Sequence, residues 1–129
     1  MIYIVDDDAS LRTNLARLMR SADLPAQTYA SAEEFLAGAD TLQPGCLLLD
    51  ITLPGASGLQ LQAELNRRRV KLPVIVVTAR DEAETRDLAR RLGAHYFFRK
   101  PVDAQALIDA IQWVLDPEAQ HAAETQHQQ

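Results

Sequence analysis

This chain has a single cysteine, no excess of positive charge and no long apolar run. With Cys46 as the single cysteine among 129 residues, no internal disulfide can form. Its setting, Cys46-Leu47-Leu48-Leu49, reads as a small buried apolar side chain rather than a reactive thiol. A net charge of -5 argues against nucleic acid as a direct partner, because phosphate backbones recruit basic surfaces. No run is long enough to span a bilayer, and the first residues turn acidic too soon for a signal peptide. The expectation is a cytoplasmic protein with no membrane partner. His95, His121 and His127 lack metal-ligand spacing and are assigned nothing. What remains is 47% hydrophobic and 24% charged, ordinary for one globular domain with a continuous core.

Short apolar runs alternate with longer helical patterns, the signature of a parallel sheet with crossover helices. Ile2-Tyr3-Ile4-Val5 predicts a first strand that ends in Asp6-Asp7-Asp8. Leu11, Leu15, Leu18 and Met19 then recur along one helical face. A weak second strand is expected over 26–30. Ser31 and Glu34 form a capping box that starts a short helix carrying Phe35 and Leu36. Cys46-Leu47-Leu48-Leu49 reads as a strand covered on both faces. Pro54, Gly55, Ser57 and Gly58 mark a loop, followed by a helix carrying Leu59, Leu61, Ala63 and Leu65. The strongest strand signal is 73–77. A charged helix is predicted over 81–92, with Glu82/Arg86 and Asp87/Arg91 at supporting spacing and Gly93 as its stop. Tyr96-Phe97-Phe98 is the fifth strand, and Asp103 caps a last helix with Leu107, Ile111 and Val114 inward. Trp113 beside that stripe is expected to be partly buried.

Five βα units predict an α/β, flavodoxin-like three-layer sandwich with parallel strand order 2-1-3-4-5. Residues 1–116 form the domain, and the Gln-, Ala- and His-rich 117–129 read as a linker or disordered tail. Ligands of open parallel sheets collect beyond the carboxyl ends of the strands. Asp6 and Asp7, Asp50, Thr78 and Lys100 each follow a strand, so all fall on one edge. Clustered carboxylates favour a hard divalent cation, and Mg²⁺ suits a few protein oxygens plus waters. A lysine and a hydroxyl beside them supply what phosphoryl transfer needs. A lone acid could be only a helix cap, and Asp8 fills that part, which leaves Asp6 and Asp7 for other work.

Val5-Asp6-Asp7-Asp8, Leu49-Asp50, Leu53-Pro54 with Gly58, Val77-Thr78-Ala79, Gly93-Ala94 and Lys100-Pro101 together resemble the response-regulator receivers of two-component systems. The resemblance implies a CheY-like fold with Asp50 as phosphoacceptor. It also implies Mg²⁺ on Asp6, Asp7, Asp50 and the Thr52 carbonyl. Thr78 and Lys100 would contact the phosphoryl group, and Thr78 with Phe97 would form the switch. A cis Lys100-Pro101 bond is implied as well. Leu53 and Val102 depart from the family's frequent Met and Phe without removing a catalytic group, and Arg80 stands at the rim. A phosphohydrolase of the haloacid-dehalogenase type is disfavoured, since Asp50-Ile51-Thr52 lacks that family's second carboxylate. A pseudo-receiver would lack one of the acids, the Thr or the Lys.

The implied partners are a sensor histidine kinase or phosphotransfer protein. A phosphorylation-dependent homodimer is expected through the face of 81–92, strand five and the last helix. The stretches 31–36 and 45–50 are similar to FixJ-type receivers, which implies a helix-turn-helix output that reaches DNA through a downstream domain. A stand-alone receiver or phosphorelay intermediate is the alternative.

Overall fold

The computed structural model describes residues 1–38, 43–53 and 55–116; Pro54 and the expected tail of 117–129 lie outside them. The elements run β1 (Ile2–Val5), α1 (Ala9–Ser21), β2 (Ala26–Tyr29), α2 (Ala32–Gly38), β3 (Cys46–Leu49), α3 (Gly58–Arg67), β4 (Val74–Thr78), α4 (Ala83–Arg91), β5 (Ala94–Arg99) and α5 (Ala104–Leu115). All pairings are parallel and the order is β2-β1-β3-β4-β5, as the alternation of runs predicts.

Strand alternation divides the core in two. Ile2, Ile4, Cys46, Leu48, Ile75 and Val77 face a layer built by α1 and α5, through Leu15, Met19, Leu107 and Ile111. Tyr3, Val5, Leu47, Leu49, Val74 and Val76 face the other layer, through Phe35, Leu61, Leu65 and Ala89 of α2, α3 and α4. The central strands are therefore buried at every position, with Thr78 at the end of β4 as their one polar hydroxyl besides the Tyr3 phenol. Phe35 is fully buried and meets Tyr3 and Tyr29 edge-on at 5.6 and 5.3 Å, anchoring the short α2. Burial of such a ring contributes about 1.5–3 kcal/mol.

The caps follow the sequence with local adjustments. Asp8 accepts from the Leu11 N–H at 3.2 Å, and Asp103 from the Ala106 N–H at 3.3 Å. Ser31 accepts from the Glu34 N–H, while the Glu34 carboxylate takes the Ala30 N–H, so β2 ends at Tyr29 rather than Ala30. Pro73 lies outside β4, which instead runs on through Thr78. Helix α4 is shorter than the expected 81–92. Asp81 stays outside it and binds Arg86, with Arg99 at 3.9 Å, so the Glu82/Arg86 pair does not form. Glu82 turns to Arg80 instead, whereas Asp87 and Arg91 do pair at 2.9 Å. Gly93 ends α4 at φ +106°, a conformation that costs glycine little. Trp113 is 43% exposed, more open than expected, because Ile111 and Val114 take the inward positions of α5.

Candidate phosphoacceptor site

The parallel register carries the carboxyl ends of β1, β3, β4 and β5 to one edge. Asp6 and Asp50 stand in line there: the Asp50 N–H continues the ladder onto the Val5 carbonyl at 3.0 Å. Both are buried, at 3% and 5% exposure, while Asp7 is exposed. Carboxylate oxygens of Asp6, Asp7 and Asp50 lie within 4.8 Å of one another.

Lys100 reaches this cluster from β5. Its Nζ donates to Asp6 Oδ2 and to Asp50 Oδ2, each at 2.8 Å. The lysine's backbone N–H donates to the Thr78 carbonyl at 2.8 Å, and its bond to Pro101 is cis, as the resemblance implies. Burial lowers the Lys100 pKa, but hydrogen bonds and charge from Asp50 and Asp6 outweigh it, so the ammonium is held above its ordinary range. Burial pushes the Asp6 carboxyl up, and the hydrogen bond from Lys100 only partly offsets this.

Backbone donors complete the setting. Asp6 Oδ1 accepts the Asp8 N–H at 2.9 Å, and Asp50 Oδ1 accepts the Thr52 N–H at 3.0 Å. Those bonds orient each carboxylate and leave its other oxygen toward Lys100. Thr78 is fully buried, and its Oγ1 accepts the Arg80 N–H at 3.3 Å, which leaves the hydroxyl proton for another acceptor. Gly58 opens α3 directly under this loop. A Cβ there would come within 2.4 Å of the Asp50 carbonyl oxygen, so only glycine lets the helix start so close.

The carboxylates, Thr78 and Lys100 thus lie on the same edge, as expected from their strand ends. Phe97 lies elsewhere: it packs with the α2–α4 layer, half-buried, under the Arg86 guanidinium at 5.4 Å. Beside the ring is a cavity of about 390 Å³, also lined by Arg90, His95, Tyr96 and Arg99. Two supports had no signal in the sequence. The Arg12 guanidinium donates to the Asp6 carbonyl at 2.7 Å, and Glu33 accepts the Ala56 N–H at 2.9 Å, tying α2 to the loop after β3. Arg12 is one among several arginines, and Glu33 is 23 residues from its partner. Hydrogen bonding by the Ala56 N–H, foremost, holds the Glu33 carboxyl below its usual range. No helix among the described residues is long and apolar enough to cross a membrane.

Comparison with known proteins agrees with this geometry. The response regulator receiver domain family matches residues 2–112. Transcriptional regulatory protein TdiR of Thauera aromatica is 39% identical over 110 residues, covering 85% of this chain and 48% of TdiR. Transcriptional regulatory protein FixJ of Azorhizobium caulinodans is 38% identical, covering 85% of this chain and 52% of FixJ. The chain therefore spans about half the length of these relatives. The crystal structure of FixJ-N superposes with a TM-score of 0.82 at 31% identity, covering 88% of this chain and 91% of that one. By fold, motif and family match over most of its length, the chain belongs to the response regulator receiver domains.

Proposed function

We propose that Asp50 accepts a phosphoryl group from a phosphohistidine on a sensor histidine kinase or phosphotransfer protein. The observation that carries this is the Lys100 ammonium, 2.8 Å from carboxylate oxygens of both Asp50 and Asp6. An Asp50 oxygen attacks phosphorus, the P–O bond forms as the P–N bond breaks, and the imidazole leaves with its electron pair. Lys100 neutralises a phosphoryl oxygen, and the Thr78 hydroxyl donates to another. Burial of Asp50 excludes bulk water from the acyl phosphate.

The donor set fits Mg²⁺. Three carboxylates against one ammonium leave a formal charge of -2, all donors are hard oxygens, and no soft ligand intrudes. Asp6, Asp7, Asp50 and the Thr52 carbonyl would hold the ion. When bound, it supplies charge neutralisation for the transferring phosphoryl group. The domain works as a phosphorylation switch and has no separate substrate of its own.

Thr78 and Phe97 form the switch, with the hydroxyl drawn to the phosphoryl group and the ring moving into the space it vacates. The outcome is a changed face of α4, β5 and α5, on which two copies associate. The output is control of transcription through a downstream helix-turn-helix domain, and what supports the transcriptional part is the similarity to the transcriptional regulatory proteins TdiR and FixJ. With acetyl phosphate and Mg²⁺, the wild-type chain should gain one phosphoryl group by intact-protein mass spectrometry and Asp50→Asn none. Undiminished labelling of the Asn protein would overturn the assignment.

A further inference from the structure

Within the acidic cluster, the three carboxylates are not held alike. Asp6 and Asp50 each place one oxygen on a backbone N–H and the other on Lys100. Asp7 stands exposed at a bend, and among the described residues its carboxylate meets no donor. One of its oxygens nonetheless lies within 4.8 Å of oxygens of Asp6 and Asp50. What aims it is therefore the backbone on either side.

Two planar peptide units flank the Asp7 Cα, and their orientations set the direction of its Cα–Cβ bond. The unit after it is tied by the Asp8 N–H to Asp6 Oδ1 at 2.9 Å. The unit before it carries the Asp6 carbonyl, one residue past the end of β1, which accepts from the Arg12 guanidinium at 2.7 Å. Arg12 is itself anchored, because its own N–H donates to the Asp8 carbonyl at 2.9 Å in the first turn of α1. One residue thus grips the loop on both sides of Asp7, by its side chain before and by its backbone after. The guanidinium makes no ion pair among the described residues, so this carbonyl is its partner. A bond from a cationic donor is of the stronger kind.

We propose that Arg12 is a positioning residue for the cation site, setting Mg²⁺ affinity by holding the Asp6–Asp7 peptide so that Asp7 faces the cluster. A guanidinium has no acceptor to offer a cation, so Arg12 acts through Asp7 and not as a ligand. The inference rests on the Mg²⁺ site proposed above, yet the two fail differently. The sign of the effect separates positioning from plain electrostatics. A positive charge near the site repels a dication, so loss of that charge alone would tighten binding. Loss of a bond that orients a ligand weakens it.

Titration of the ¹⁵N-labelled chain with MgCl₂, read at the Asp8 and Thr52 amides, gives the affinity. Arg12→Met should bind Mg²⁺ about tenfold more weakly than wild type, the lower end for groups that orient metal ligands. In an Asp7→Ala background the same change should cost nothing, since the carboxylate it positions is gone. Arg12→Lys keeps the charge on a shorter side chain and should also weaken binding. It gives a separate reading if the β4 amides show the Met variant to be poorly folded. Affinity at or above wild type in Arg12→Met or Arg12→Lys, or a loss that persists undiminished without Asp7, would overturn the role of Arg12. No Mg²⁺ response from the wild-type chain would overturn the metal site, and this inference with it.

Discussion

Replacing Lys100 by Met should destabilise the metal-free domain in a strongly pH-dependent way. The ammonium is 22% exposed, and the carboxylates it joins are only 4% and 6% exposed. Removing one partner of a buried ion pair costs about 3–5 kcal/mol, and partial exposure of the lysine reduces this to about 2–4. Mutual repulsion gives the same scale: two like charges about 4 Å apart at an effective dielectric near 20 repel by about 4 kcal/mol. In wild type the raised Lys100 pKa adds stability that is complete below 10.5 and is lost only as pH climbs through the folded value. Asp6 has the opposite sense. Its raised pKa favours folding in acid, and that advantage fades as pH rises from 3.8 through the folded value. Without Lys100 its hydrogen bond and its charge no longer lower the Asp6 pKa, and only the Asp8 N–H still does, so the carboxyl holds its proton to higher pH still. The variant's deficit should be widest at pH 7–8 and narrow sharply toward pH 4–5. Urea unfolding without divalent ions should show a midpoint lowered by about 1–2 M at pH 8 and much less at pH 4.5. An equal deficit at both pH values would refute a repulsive carboxylate pair held by the lysine.

Other outcomes follow from the same geometry. Asp7→Ala should weaken Mg²⁺ binding and phosphorylation together, and raise the metal-free melting temperature by easing repulsion; an unchanged Mg²⁺ affinity in titration would exclude Asp7 as a ligand. Gly58→Ala should lower the rate of phosphorylation and cost about 1–3 kcal/mol of stability, because its Cβ would press on the Asp50 carbonyl; unchanged urea unfolding and labelling would refute that contact. Beryllofluoride, a phosphoryl mimic, should promote a modest, salt-sensitive dimer through α4, β5 and α5, read by ultracentrifugation. An unchanged mass across a wide concentration range at low salt would count against it.

The parts of the fold visible in the sequence are those fixed by local patterning. β1, β3 and β4 are mostly β-branched or aliphatic residues, and acids or Gly and Pro bound them closely. Because each site residue ends a strand, parallel topology alone brings Asp6, Asp50, Thr78 and Lys100 to one edge. What stayed hidden depends on helix neighbours distant in the chain. Arg86 meets Asp81 and the face of Phe97 rather than Glu82, since the loop into α4 leaves Asp81 turned back toward β5. On α3 the inward position belongs to Gln62, and Ala63 is exposed, because the carbonyls at the end of α4 draw the amide inward. Arg12 and Glu33 steady the site through backbone groups, and a hydrogen bond to backbone leaves no partner residue in the sequence to find.

The most direct test is to locate the phosphoryl group chemically. Borohydride reduces an aspartyl phosphate to homoserine, which peptide mass spectrometry assigns to one position. After treatment of the wild-type chain with acetyl phosphate and Mg²⁺, homoserine should appear at residue 50 and nowhere else. Homoserine at residue 6 or 7, or its absence despite a phosphorylated intact mass, would contradict Asp50 as the acceptor.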